Sequence, residues 1–311
     1  MDYFAISLLH GLSYGLLLFM LTSGLTLVFS LMGVLNFAHA SFYMLGAYLA
    51  YTLMPHLGFV PALIVAPLLV AGLGMAVERF LLRRAHRHGH VAELLLTFGL
   101  ALLIEEGVKL IWGTASVSYQ FPAALSVPLL RVGGTGFPVY KALIAAISLG
   151  IVLGLHLLVR RTRVGLVIRA ALRNPGMVEA LGHNVPRVFM LVFGLGAGLA
   201  GLAGVLGGAA FVTEPGMANA VGTIVFVVCV LGGMGSLPGA FLASLLIALI
   251  QTFAVGIDVS LADGFRALGV SLPDLPLAGM TLSQMAPFLP FLLMVLVLAL
   301  RPAGLLGKAS Q

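Results

Sequence analysis

Long apolar runs, separated by short polar interruptions, make up nearly the whole chain. Runs fall at about 6–31, 36–54, 58–80, 93–113, 139–159, 187–212, 219–235, 237–257 and 284–300, with ends uncertain by about 2–4 residues. They are continuous, not alternating. A membrane strand needs about ten alternating residues, whereas a spanning helix needs roughly 20 apolar ones. Helices also pair every backbone group inside the span, as hydrocarbon demands. The pattern therefore predicts an all-α fold, a polytopic transmembrane helical bundle with about eight or nine membrane segments. Some segments are expected to be broken or re-entrant. No Lys or Arg precedes Arg79, so loop charge says nothing about the first three runs. Only a glycine-rich break, Gly232-Gly233-Met234-Gly235-Ser236-Leu237-Pro238-Gly239, separates the seventh run from the eighth.

Composition agrees with the pattern. The chain is 61% hydrophobic and 8% charged, and its mean hydropathy is +1.15. A soluble domain carries roughly 25% charged residues. The formal charge of +6 does not point to nucleic acid, because the basic residues cluster in short loops between spans. One cluster holds Arg79, Arg83, Arg84 and Arg87. A second holds Arg160, Arg161, Arg163, Arg169, Arg173 and Arg187, and the tail holds Arg301 and Lys308. Twelve of the 16 Lys and Arg lie in these clusters, which the positive-inside rule makes cytoplasmic. The other four are Lys109, Arg131, Lys141 and Arg266. They fall in or beside segments 114–138 and 258–283, which read as external; the latter carries Asp258, Asp263 and Asp274. Counting spans puts the C-terminus inside and the N-terminus outside. With Asp2 and no basic residue before it, the first run reads as a retained helix rather than a signal peptide. The single cysteine, Cys229, reads as a packing residue.

Polar residues inside apolar runs carry the candidate chemistry. Asn36 and His39 stand in GVLNFAHASF, at the joint between the first two runs. They fit a wet loop in which Asn36 caps the second helix, a break that ties helices together, or the lining of a translocation path. Glu105 and Lys109 are four apart and share a helix face with Glu106 nearby; Lys109 and Trp112 suit a membrane interface. An interface ion pair and an external vestibule both fit this group, and both fit Glu214. His10, His156 and Gln251 read as helix–helix contacts. Gly194 and Gly198, and Gly204 and Gly208, are four apart, so each pair opens one face of the sixth run to close packing. Gly233, Gly235 and Ser236, at the second break, are expected to form a central site together with Asn36 and His39.

The longest inner loop, 160–186, reads RTRVGLVIRAALRNPGMVEALGHNVP from Arg161 onward. A helical pattern through Val167, Ile168, Ala171 and Leu172 breaks at Asn174-Pro175-Gly176. A second short helix, MVEAL, ends at Gly182, and Pro186 begins the next span. Lipid-bound connector and docking element are both open readings. No phosphate-binding loop occurs, since GLLGKAS in the tail has the wrong glycine spacing and Ala309 after its lysine. No Cys/His cluster suggests a metal and no Ser/His/Asp set suggests hydrolysis, so the chain does not read as an enzyme and no cofactor is expected on it.

Three stretches carry a resemblance. GLTLVFSLMGVLNFAHASFYMLGAYLAY, the loop RTRVGLVIRAALRNPGMVEALGHNVPRV, and VLGGMGSLPGAFLASLLIALIQ, residues 230–251, resemble the signatures of branched-chain amino-acid ABC importer permeases of the H type. Two departures are Ala40, where that family usually carries glycine, and Leu181, where the older loop pattern has alanine. The resemblance implies one permease domain over 1–311, in a bacterial inner membrane, with 160–186 as its cytoplasmic coupling loop. Arg169, Asn174, Glu179, Ala180 and Gly182 would meet the ATPase. Implied partners are a second related permease, two ATPase subunits that hold the ATP, an external substrate-binding protein and the lipid bilayer. The implied function is inward transport of branched-chain amino acids by alternating access. Alternatives are urea, short amides or aromatic acids in the same family, or an ion-coupled secondary transporter.

Overall fold

The computed structural model describes residues 2–132, 135–257, 259–260 and 280–307. Asp258, Asp263, Arg266, Asp274 and Lys308 lie outside the described residues. Each of the nine apolar runs lies on a helix, giving a helical polytopic membrane protein. Helix α1 (Asp2–Met32) ends at Gly33, whose φ of 68° is a conformation glycine adopts without penalty. Residues 33–38 are non-helical, and α2 (His39–Leu57) follows. A one-residue turn at Gly58 leads to α3 (Phe59–Val77), which continues through a π-turn at Glu78–Leu82. Next come α4 (His90–Trp112), a turn of helix α5 (Ala123–Ser126), and a hairpin of β1 (Pro128–Val132) and β2 (Thr135–Pro138). The hairpin is antiparallel, with Leu130 opposite Phe137 and Arg131 opposite Gly136.

The second part of the chain starts with α6 (Val139–Arg161). The short helices α7 (Arg163–Arg173) and α8 (Pro175–Ala180) lead to α9 (Val185–Ala210). Then follow α10 (Met217–Gly232), α11 (Leu237–Val255), α12 (Leu282–Met285) and α13 (Leu289–Leu300). Among the described residues, five helices are long and apolar enough to cross a membrane: Phe4–Met32, Phe59–His88, Val139–Arg161, Val185–Ala210 and Leu237–Val255. Helix α10 has 16 residues, about 24 Å at 1.5 Å per residue, less than a hydrocarbon core of about 30 Å. It starts within the bundle.

Contacts fix the relative directions. His10 on α1 meets Lys141 at the start of α6, whose far end carries Arg160 and Arg161. Helix α1 therefore runs toward the basic end of the bundle. Helix α9, which leaves that end, runs against it. The two halves repeat with inverted direction: α1, a non-helical link, α2, α3 and α4 correspond to α9, the link 211–216, α10, α11 and α13. The packing repeats as well, since α9 lies on α3 as α1 lies on α11, and α4 lies on α2 as α13 lies on α10.

Helix α9 is the central post. Gly196 faces Gly24 of α1, and a Cβ on either would run into the other's carbonyl oxygen. Gly194 and Gly198 face α3 through Met75 and Ala71. Gly201 also faces α3, through Val70, with its carbonyl oxygen against Gly46 of α2, and Gly204 and Gly208 face α2 through Tyr43 and Ala47. The glycine pairs four apart thus do open faces to neighbours, and they open different faces to different helices. Cys229 is buried 3.6 Å from Thr26 Oγ1, a packing contact between α10 and α1. At the periphery, α3, α4, α6 and α13 turn Leu68, Leu103, Leu153 and Val295 outward, each more than half exposed, as lipid-facing helices do.

Gly204→Val is expected to destabilise the bundle by about 2 kcal/mol or more, because the overpacked Cβ meets backbone. Gly150→Ala on open α6 is expected to stay within about 0.5 kcal/mol of the parent. Thermal unfolding in detergent, followed by size exclusion, compares the two.

A polar-edged cleft where α2 begins

His39 opens α2 deep in the bundle. Its Nε2 lies 2.8 Å from the Leu21 carbonyl oxygen of α1. Leu21 sits twelve residues before Gly33, about 18 Å back along the helix. Residues 33–38 therefore climb back beside α1 before α2 starts. A carbonyl can only accept, so His39 Nε2 carries the proton and, in the neutral ring, Nδ1 is an acceptor. That Nδ1 is buried and has no hydrogen-bond partner among the described residues. Asn36 Oδ1 accepts from the Ala38 N–H at 3.1 Å, and the Asn36 carbonyl accepts from the His39 N–H at 3.2 Å. Asn36 thus closes the turn that starts α2. Asn36 is 4% and His39 2% exposed, so neither is a wet loop residue.

Both line a cavity of about 300 Å³ between α1, the 33–38 link, α4 and α10. Leu25, Leu35, Phe98 and Phe226 supply apolar walls, while Ser41, Glu105, Asn219 and Thr223 add polar groups. Glu105 serves two neighbours. Its Oε1 is 2.9 Å from Lys109 Nζ, and its Oε2 accepts from Asn219 Nδ2 at 3.1 Å. Glu106, largely exposed, also pairs with Lys109, at 2.8 Å. Trp112 Nε1 donates to Thr52 Oγ1 at 2.8 Å, joining α4 to α2. Sequence reasoning missed Asn219. Its only signal was one amide at the start of an apolar run.

Gly233, Gly235 and Ser236 are not brought to this cavity. Gly233 and Gly235 have φ of 97° and 81°, and Gly235 faces Ser30 at the basic end of α1. Ser236 Oγ accepts from the Gly239 N–H at 3.2 Å and caps α11. The tail locks onto the same break, with Leu305 N–H donating to the Leu231 carbonyl at 2.8 Å and Leu306 N–H to that of Gly232 at 3.1 Å. In the inverted repeat the counterpart of the 33–38 link is 211–216, not 233–236. The expected union of the two glycine-bearing breaks fails because α11 begins a full helix there, at the bundle's basic edge.

The 160–186 loop stands at that same edge. Thr162, Asn174 and Asn184 cap α7, α8 and α9, accepting from the N–H groups of Gly165, Met177 and Arg187 at 3.0–3.1 Å. Ala171, Val178 and Val185 form a small core with Val167 and Phe189. Arg169, Asn174, Glu179, Ala180 and Gly182 are exposed, as are the apolar side chains of Val164, Leu166, Met177 and Leu181. Arg83 ties the loop's end to α3. Its Nη2 donates to Glu78 Oε2 and to the Pro186 carbonyl, both at 2.8 Å. Glu93, buried at the start of α4, meets His86 and His90.

Fold and cavity together describe a polytopic membrane protein with a small, half-open, polar-edged chamber in its bundle, the class of a solute permease. Comparison with known proteins gives the family. A profile described as branched-chain amino acid transport system / permease component matches residues 7–298, and the chain belongs to that family. It is 28% identical over 314 residues to the high-affinity branched-chain amino acid transport system permease protein BraD of Pseudomonas aeruginosa, covering 97% of this chain and 95% of the relative. It is 27% identical over 323 residues to the corresponding LivH protein of Escherichia coli, covering 98% and 96%. A probable LivH protein of Methanocaldococcus jannaschii is 29% identical over 266 residues, covering 82% and 79%. No solved structure matches the chain. Each of these relatives is described as a branched-chain amino acid transport permease protein.

Asn36→Ala is expected to lower stability by about 1 kcal/mol through loss of the turn-closing acceptor, with Asn36→Asp retaining most of it. Chemical or thermal unfolding of the two variants in detergent measures the difference.

Proposed function

We infer that this chain is the permease subunit of an ABC importer that carries branched-chain amino acids inward. Full-length kinship with branched-chain permeases is the observation that carries this reading. The whole chain would act as one permease domain in a bacterial inner membrane, with the basic end and the C-terminus in the cytoplasm. Energy would come from ATP on two separate ATPase subunits. A second related permease would complete the membrane unit, and an external binding protein would deliver substrate.

Two features support the mechanism. Exposed apolar side chains on a capped, basic, compact loop form a surface that a soluble subunit can cover, with Arg169, Asn174, Glu179, Ala180 and Gly182 on it. Arg83 gives that loop a direct hydrogen bond from the end of α3 to the start of α9. ATP-driven movement of the loop would then tilt α9, and with it the three helices packed on its glycines. In the chamber, the starts of α2 and α10 would attract a substrate carboxylate. Glu105 and Asn219 would take the ammonium group, and Leu25, Phe98 and Phe226 the branched side chain.

Affinity purification from membranes is expected to bring ATPase subunits down with the tagged chain. Gly182→Val, strained at a φ of 84°, together with Glu179→Ala, is expected to lose them while the chain stays in the membrane. A chain that purifies alone even after cross-linking overturns the ABC reading. His39→Ala is expected to reach the membrane normally and to lower leucine uptake about tenfold or more, given a buried polar group left without its partner. Normal uptake by His39→Ala and Asn36→Ala removes the chamber from the path.

A further inference from the structure

A second, larger cavity of about 780 Å³ opens at the end opposite the basic clusters, between α1, α6, α10, α11 and the start of α13. Lys141 Nζ lies 2.6 Å from His10 Nδ1 at its edge. An ammonium has no lone pair, so Lys141 donates and the proton of neutral His10 sits on Nε2. The pair is thus a cluster of donors only. Among the described residues, no carboxylate lies within ion-pair distance of Lys141. Gln251 lines the same cavity, and its Oε1 is buried and without a hydrogen-bond partner among the described residues. One side therefore offers positive charge, and Gln251 holds a buried, unsatisfied acceptor in the cavity wall. Leu17, Ile144 and Phe291 supply apolar wall between α1, α6 and α13.

We propose that this cavity is an outer station for an α-amino acid with an apolar side chain. Lys141, with His10 behind it, takes the carboxylate, and Gln251 Oε1 takes the ammonium. The assignment rests on the transport reading for its substrate class, and on Lys141, His10 and Gln251 for its place. Helix α10 separates this station from the central chamber: Ala220 and Ile224 face the outer cavity, Asn219 and Gly222 face the chamber, and Thr223 borders both. A substrate leaving the station reaches the chamber by passing the first turns of this short helix.

The test uses the full chain in phosphatidylcholine nanodiscs and tritiated leucine as the probe. Competitors are 4-methylpentanoate, which lacks the amine, and 3-methylbutylamine, which lacks the carboxylate. Lys141→Gln is expected to weaken leucine binding about tenfold or more, and Lys141→Arg, which keeps the charge and controls for folding, to stay within roughly threefold. The acid should displace leucine better than the amine, with that preference lost in Lys141→Gln. Leucine binding that Lys141→Gln leaves unchanged, or that only Glu105→Gln abolishes, overturns the outer station. So does a phospholipid found by native mass spectrometry that Lys141→Gln releases and leucine does not displace. Uptake by the assembled transporter separates the two ideas. Wild-type binding through Lys141 without uptake keeps the station and sinks the transport reading, whereas uptake with binding insensitive to Lys141 does the reverse. Absence of both binding and uptake sinks both.

Discussion

Backbone-to-backbone contact around α9 is the constraint on which the bundle depends. Between helices in lipid there is little hydrophobic drive, because the tails are as apolar as leucine. Association has to come from packing, and packing is best where nothing stands between two backbones. Gly196 gives α1 that approach, Gly194, Gly198 and Gly201 give it to α3, and Gly204 and Gly208 give it to α2. Three helices are held on one post at three angles, and each contact depends on a missing Cβ. Such contacts are also bistable more readily than deformable, since interlocked surfaces shift between discrete arrangements.

That close packing makes the non-helical links tolerable. A non-helical stretch at membrane depth must be buried in protein or line a cavity. Residues 33–38 do both. Asn36 closes the turn within its own segment, His39 bonds the wall of α1, and Thr97 of α4 sits within 3.3–3.4 Å of the Phe37 N–H and the Leu35 carbonyl oxygen. The link thereby seats the start of α2 beside a chamber, and the inverted repeat brings the start of α10 to the same chamber from the other direction. Glu105 and Asn219 close it across α4 and α10.

The basic edge is organised differently. Here side chains, not glycines, do the joining. Arg83 bridges Glu78 and Pro186, and His86 and His90 meet Glu93. Ion pairs at this edge have water on one side, so their contribution is modest. Their geometric effect is larger: the π-turn after α3 and the start of α9 are linked beside the exposed 160–186 loop, so the loop and the central post are mechanically adjacent.

The chain's own pattern determined a great deal. Nine apolar runs became helices because a membrane span leaves the backbone no other way to pair its groups. The loop's two short helices, the break between them at Asn174-Pro175-Gly176 and the stop at Gly182 were legible because helix ends are local chemistry. The Glu105–Lys109 pair was legible for the same reason, four residues apart on one face. What the sequence could not decide was partnership over distance. Asn219 meeting Glu105, Lys141 meeting His10, and Arg83 reaching Pro186 each join residues roughly a hundred positions apart, and no local period encodes them. Gly233, Gly235 and Ser236 looked like half of a central site because a glycine break has the same spelling whether it lies at the middle or the edge. Only tertiary structure could place it at the edge, against the tail and the end of α1, since depth in the bundle is set by which helices pack on α9 and in what direction they run.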